Sequence, residues 1–110
     1  MDPTVESKPY ALVVAGLIAE AQTNPEFADL YRRHFVQPRR DATRALLVAA
    51  MDRGEIASDT DLEVTLDLLY GPIYHRLLHG HAPLTEDFAH QVIDTVITAI
   101  SEKRPDRHGD

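Results

Sequence analysis

Apolar residues recur at helical spacing along most of the chain, in four segments separated by turn signals. The first segment, about residues 9–22, is apolar on nearly every side. Its alanines favour a helix over a central β-strand, so the pattern predicts a helix that is buried on most of its faces. Asn24 and Pro25 follow, and they are typical of the N-cap and the first residue of a new helix.

The second segment carries an amphipathic stripe that a proline interrupts. The stripe has the spacing of one helical face and consists of Phe27, Leu30, Tyr31, His34 and Phe35. Pro38 lacks a backbone N–H and disfavours helical geometry at the preceding residue, so we expect a kink or break at residues 37–38. A further helix is predicted over residues 39–53, ended by Gly54.

The last two segments predict helices over about residues 61–80 and 86–100. Asp59 or Thr60 is the expected cap of the first of these helices, and Thr85 that of the second. A short loop joins them, so they should be antiparallel neighbours with wide apolar faces that leave surface for a partner chain. The apolar positions on these two faces include Leu66, Leu69, Ile73, Leu77, Phe88, Val92, Ile93, Val96, Ile97 and Ile100.

Composition narrows the class of protein. The 110 residues carry a formal net charge of −7, which argues against binding DNA or anionic lipid through bulk charge. There is no cysteine, no apolar run long enough for a membrane span and no signal peptide, so a cytoplasmic protein is expected. Residues 9–101 are predicted to form one domain, after a disordered leader at 1–8 and before a flexible tail at 102–110.

Aromatic side chains with polar tips indicate a ligand pocket. Tyr70 and Tyr74 flank Gly71-Pro72, where we expect the helix to bend, and such a bend suits a mostly apolar pocket with a few polar groups. Core or interface packing is the alternative. The candidate pocket residues are Tyr31, His34, Phe35, Tyr70 and Tyr74.

Other chemistry has weaker support. His75 and His79 share one helical face, and with His81 or His90 they would allow a metal site, although a solvated histidine cluster explains them as well. The chain shows no phosphate-binding glycine loop and no nucleophile elbow, so we expect neither an enzyme nor a cofactor.

The arginines at 39, 40 and 44 form a local basic face. A phosphate or DNA patch is one interpretation. A solvated face with local ion pairs fits the acidic chain better.

Five motifs occur in order along residues 11–100. They are Ala19-Glu20-Ala21-Gln22 with Asn24-Pro25-Glu26, Phe35-Val36-Gln37-Pro38-Arg39-Arg40, Arg53-Gly54-Glu55-Ile56, Asp67-Leu68-Leu69-Tyr70-Gly71-Pro72-Ile73-Tyr74-His75-Arg76-Leu77-Leu78, and Pro83-Leu84-Thr85-Glu86-Asp87-Phe88. In this series the chain resembles the C-terminal regulatory domain of tetracycline-repressor (TetR/AcrR-like) transcription regulators.

The resemblance implies an all-helical bundle of four to five helices that binds a small hydrophobic effector. It also implies a homodimer in which the last two helices form a four-helix bundle, so the apolar positions listed above for these helices are the candidate interface residues. Pocket residues differ between members of this family, so none is carried over. The family's N-terminal helix-turn-helix, which binds operator DNA, does not precede these residues, and we expect no DNA binding by this segment alone.

The expected function is therefore effector sensing and homodimerisation within a transcriptional repressor. Two alternatives from other classes are a stand-alone helical dimer with a scaffold role and a histidine-based metal-binding protein.

Overall fold

A computed structural model describes the backbone of residues 3–101 and the side chains of residues 12–101. Helices α1 (Pro3–Thr23), α2 (Pro25–Tyr31), α3 (Gln37–Asp52), α4 (Leu62–His79) and α5 (Glu86–Ile100) follow one another, with a π-helical segment, Arg32–Val36, between α2 and α3. No strand occurs within the described range, so the predicted all-α fold is confirmed. None of these helices is long and apolar enough to cross a bilayer.

The start of α1 corrects one prediction. The helix begins at Pro3, so residues 3–8 are helical and do not form the leader expected at 1–8. Proline suits a first helical turn, where its missing N–H would have no intrahelical partner. The tail expected at 102–110 lies outside the described residues.

The faces of α1 also differ from the expectation. Val14 is buried, but Leu12 and Val13 are largely exposed to solvent, at 72% and 60%. A helix that is apolar on nearly every side is therefore covered on only part of its surface. Such uncovered apolar area is typical of a surface that another chain or segment contacts.

The predicted break at residues 37–38 is a π segment instead. The backbone N–H of Gln37 donates to the carbonyl of Arg32, five residues earlier, and α3 continues with Pro38 in its first turn. The helical course thus runs from α2 into α3 without a loop. The wide turn before Pro38 accommodates this proline, which has no backbone N–H to donate to a helical hydrogen bond.

Capping groups fix the remaining helix ends. Asn24 and Thr85 accept hydrogen bonds from the N–H groups of Phe27 and Phe88, at 3.0 and 3.1 Å, as predicted. The cap of α4 is Asp61, which accepts from Val64 at 3.1 Å, and neither Asp59 nor Thr60 has this role. Asp61 is the N-cap because it directly precedes the first helical residue, so its side chain reaches a free N–H group of the first turn.

The core lies between α3, α4 and the connector that joins them. Leu47, Ile56 and Leu66 form its buried centre, and Leu66 is fully buried. The connector is held by an antiparallel bridge between Ile56 and Ser101, and the Ala57 N–H donates to the Ile100 carbonyl at 3.0 Å. The end of α5 is thereby fixed against the segment that follows α3.

Candidate ligand site

A column of aromatic rings runs along α2 and the π segment. Phe27, Tyr31 and Phe35 stack in series, with ring centroids 6.3 and 5.2 Å apart. Arg39 ends the column, because its guanidinium lies 3.9 Å from the Phe35 ring centroid and its Nη1 donates to the Phe35 carbonyl at 2.8 Å. The rings and the cation therefore share one continuous helical face.

A cavity of about 410 Å³, which we call the tyrosine cavity, lies beside this column. Its wall is contributed by α1, the column, α3 and α4, through Ile18, Tyr31, Val36, Arg39, Arg40, Asp67, Tyr70, Gly71, Tyr74 and Leu78. The lining combines apolar side chains with a few phenol and guanidinium groups. Small-molecule sites in proteins commonly have this size and this mixture.

Hydrogen bonds hold Tyr70 at the wall of this cavity. Its hydroxyl donates to the carbonyl of Arg39 at 3.2 Å and shares a hydrogen bond of 2.8 Å with the hydroxyl of Thr43. These bonds join α4 to α3. The position of the ring therefore depends on the relative placement of two helices.

A second opening, which we call the apolar cleft, lies between α3, α4 and α5 and has a volume of about 740 Å³. Arg39, Tyr70 and Tyr74 line both the cleft and the tyrosine cavity. The remaining lining of the cleft is almost entirely apolar and consists of Val14, Phe35, Thr43, Leu46, Leu47, Ala50, Ile56, Leu69, Ile73, Leu77, Leu84, Ala89, Ile93 and Ile97.

Ion pairs between helices set the charge at one edge of the tyrosine cavity. Arg40 contacts Glu63 at 2.8 Å and Asp67 at 2.9 Å, and Arg44 also pairs with Glu63. Two arginines of the basic face, Arg40 and Arg44, thus form ion pairs, but these are contacts with α4 and not the local pairs that were expected. Because Arg40 neutralises Asp67, this carboxylate adds little net negative charge to the cavity.

One further ion pair lies at the C-terminal end of α3. Arg53 donates to both carboxylate oxygens of Glu55 at 3.0 Å. This hydrogen bonding, together with the negative charge of Glu55, raises the pKa of Arg53 above its ordinary value.

The structure brings together four of the five candidate pocket residues. Tyr31, Tyr70 and Tyr74 line the tyrosine cavity, and Phe35 lines the adjoining cleft. His34 is exposed and lines neither opening. It lies inside the π segment, directly before Phe35.

Arg39 is the site residue that the sequence pattern missed. It lies four residues after Phe35, which places it on the same helical face, and this spacing was the available signal. Gly71 and Ile18 also line the cavity, but they depend on packing between helices distant in sequence. No local pattern identifies such residues.

The candidate dimer residues fall into two groups. Leu66 is fully buried and Val96 nearly so, hence both belong to the interior of the single chain. Ile93 and Ile97 are 46% and 39% exposed on α5. Leu69, Ile73, Leu77, Phe88, Val92 and Ile100 are partly buried.

The histidine cluster forms as the spacing suggests. The rings of His75, His79 and His81 lie with centroids 4.4 to 6.4 Å apart, near the end of α4. Among the described residues, however, no group of three His, Asp or Glu side chains has an arrangement that could hold a metal ion. The side chains of all three histidines are exposed.

Comparison with known proteins identifies the class to which this helical domain belongs. The family model for the tetracyclin repressor-like C-terminal domain matches residues 3–96. The crystal structure of the TetR family transcription regulator SCO0332 superposes with a TM-score of 0.73 at 31% identity, over 79% of this chain and 48% of that one.

Curated relatives agree with this match. The chain is 42% identical over 66 residues to the uncharacterized HTH-type transcriptional regulator YdeS of Bacillus subtilis. This match covers 60% of this chain and 33% of YdeS. It is 31% identical over 88 residues to the uncharacterized HTH-type transcriptional regulator Rv1556 of Mycobacterium tuberculosis, covering 80% and 44% of the two chains.

The chain belongs to the tetracycline repressor-like C-terminal domain family, which confirms the resemblance seen in its motifs. It spans less than half the length of the curated relatives that it matches.

Proposed function

We propose that this chain is the effector-sensing and homodimerisation domain of a transcriptional regulator, and that the effector occupies the tyrosine cavity. The observation that carries the proposal is this cavity of about 410 Å³, which side chains from α1, α3, α4 and the aromatic column line. The names of the relatives, HTH-type transcriptional regulators, support a role in gene regulation.

The proposed mechanism is a shift between two arrangements of helices. A ligand changes such an equilibrium only if it binds one arrangement more tightly than the other. Tyr70 lines the cavity and also bonds α4 to α3, so a ligand that displaces its ring would alter the contact between these helices. In a dimer built on α4 and α5, this movement would reach the partner and any DNA-binding segment attached to the domain.

Dimerisation is supported by the uncovered apolar surface of α5. Ile93 and Ile97 border the apolar cleft and remain about half and about two-fifths exposed. A second copy that packs against α4 and α5 would remove this surface from water, which is favourable by about 25 cal/mol per Å². The scaffold alternative predicts the same dimer without a ligand.

Thermal unfolding with a panel of hydrophobic compounds tests the sensing role. A ligand that binds the folded state raises the melting temperature. Gly71→Leu is the informative variant, since a Cβ at Gly71 meets no atom within 4 Å and the glycine lines the cavity. The added side chain should fill part of the cavity and abolish the shift.

Gly16→Leu is the matched control, because Gly16 is also helical and unobstructed but lies outside both openings. A compound that stabilises the wild type and Gly16→Leu, but not Gly71→Leu, supports the proposal. If no compound shifts the melting temperature, the scaffold alternative is favoured.

A further inference from the structure

The charge around the tyrosine cavity is uneven. Arg40 and Asp67 form an ion pair at its edge, and Arg40 has a second carboxylate partner in Glu63. Arg39 lines the same cavity, and in the part of the chain that the structure describes no carboxylate lies within ion-pairing distance of it. Arg39 is therefore the arginine of the described lining that has no carboxylate partner, and its side chain is exposed to solvent.

The position of Arg39 is defined by two contacts. Its guanidinium lies over the Phe35 ring, and one nitrogen donates to the Phe35 carbonyl. Because a guanidinium carries five N–H donors, this single bond leaves a fork available for a bidentate acceptor such as a carboxylate. The nearby Tyr31, Tyr70 and Tyr74 rings supply apolar contact beside this fork.

We propose that the ligand of the tyrosine cavity is a lipophilic anion, with its acidic group on the Arg39 guanidinium and its apolar body among the tyrosine rings. This inference rests on the proposed function and specifies the class of effector. A cationic ligand is disfavoured because it would meet Arg39 as a like charge. A neutral ligand would leave the guanidinium without a charged partner.

Decanoate and 1-decanol are the probes that test this inference, since they share an alkyl chain and differ in the charged head group. Their dissociation constants would be measured by calorimetry at pH 7 with the full chain. A charge-assisted hydrogen bond strengthens binding by roughly tenfold or more, so decanoate should bind at least that much more tightly than decanol.

Arg39→Gln should remove the preference for decanoate, so that the dissociation constants of the two probes become nearly equal. Arg39→Lys keeps the charge and should retain part of the preference, which guards against a merely structural effect of the first variant. Arg33→Gln is the matched control, because Arg33 is paired with Asp29 at 2.9 Å and lines neither opening. The control should bind both probes as the wild type does.

Equal affinity for the two probes, no binding of either, or a preference that survives in Arg39→Gln would overturn the inference. So would decanoate binding that Gly71→Leu leaves unaffected, since the anion would then bind elsewhere. If another compound still stabilises the wild type but not Gly71→Leu, only the anionic class fails and the sensing role stands. If no compound does so, both proposals fail together.

Discussion

Tyr70 is a single side chain whose hydroxyl group joins two helices. It bonds to Thr43 and to the Arg39 carbonyl from a partly buried position, and a hydrogen bond of this kind contributes about 1 kcal/mol. We expect Tyr70→Phe to lower the free energy of unfolding by about 1 kcal/mol in urea titrations. Combined with Thr43→Val, the loss should be smaller than the sum of the single losses, because both variants remove the same bond.

Arg40 is the second residue with contacts across helices. Its side chain is only 17% exposed and pairs with two carboxylates on α4, so Arg40→Gln removes the ion pair of Asp67 and leaves Glu63 with Arg44 alone. We expect a loss of about 1 kcal/mol in unfolding free energy at low salt, and a smaller loss in 1 M NaCl, where the Debye length is about 3 Å.

Arg33→Gln provides the comparison for Arg40, since its ion pair with Asp29 is exposed on both sides. Exposed pairs at this spacing contribute about 0.3–0.5 kcal/mol. An Arg40→Gln effect no larger than that of Arg33→Gln would mean that the pairs between α3 and α4 contribute little to stability.

At the scale of helices, two glycines in this chain should respond to alanine with opposite signs. Gly80 ends α4 with a φ of +65°, a left-handed conformation that costs an alanine roughly 1–2 kcal/mol. Gly16 lies inside α1 with open space around it, and alanine there should stabilise by about 0.5–1 kcal/mol.

Thermal unfolding of Gly80→Ala and Gly16→Ala measures both effects in one protein. Stabilisation by Gly80→Ala would mean that the left-handed end of α4 relaxes without cost. No gain from Gly16→Ala would mean that α1 is not a stable helix at that point.

The helices also show which features a sequence reveals. The caps at Asn24 and Thr85 were predictable because each side chain acts on backbone groups three residues away. The π segment was not, because a proline at position 38 is compatible with a break, a kink or a wider turn, and packing against other helices decides among these. The bridge between Ile56 and Ser101 joins residues far apart in the sequence, so no local pattern predicts it.

The candidate site, like the helices, was predicted only in part from the sequence. The tyrosines were recognisable as aromatic groups on helical faces, and three of them line one cavity. His34 lines neither opening, so its place in a ligand pocket stays a prediction. The four-residue spacing from Phe35 distinguishes Arg39 from Arg40 and Arg44 in the sequence. Only the placement of α4 shows that Arg40 and Arg44 have carboxylate partners, whereas among the described residues Arg39 has none.

At the scale of the whole molecule, buried apolar residues should affect the stability of the single chain, whereas exposed apolar residues on α5 should affect the proposed dimer. Leu66 is fully buried, so Leu66→Ala should destabilise the chain by about 2–5 kcal/mol, whether or not a partner is present. Urea unfolding monitored by circular dichroism measures this loss. An effect below 1 kcal/mol would contradict the placement of Leu66 in the core.

Assembly is tested by charge on α5. Ile93 is 46% exposed, and Leu30 on α2 is exposed to nearly the same extent, at 45%, so the two residues form a matched pair for substitution by aspartate. If α5 lies in the dimer interface, Ile93→Asp and Ile97→Asp should each convert a dimer of twice the 12.3 kDa chain into a monomer with its helical content retained. Leu30→Asp should leave the dimer intact.

Light scattering during size exclusion, at two concentrations, gives the masses, and circular dichroism gives the helical content. A wild-type monomer at both concentrations would remove the dimer proposal. Unfolding of the α5 variants would assign Ile93 and Ile97 to the interior of the single chain, because an aspartate at an interface surface costs association and not the fold.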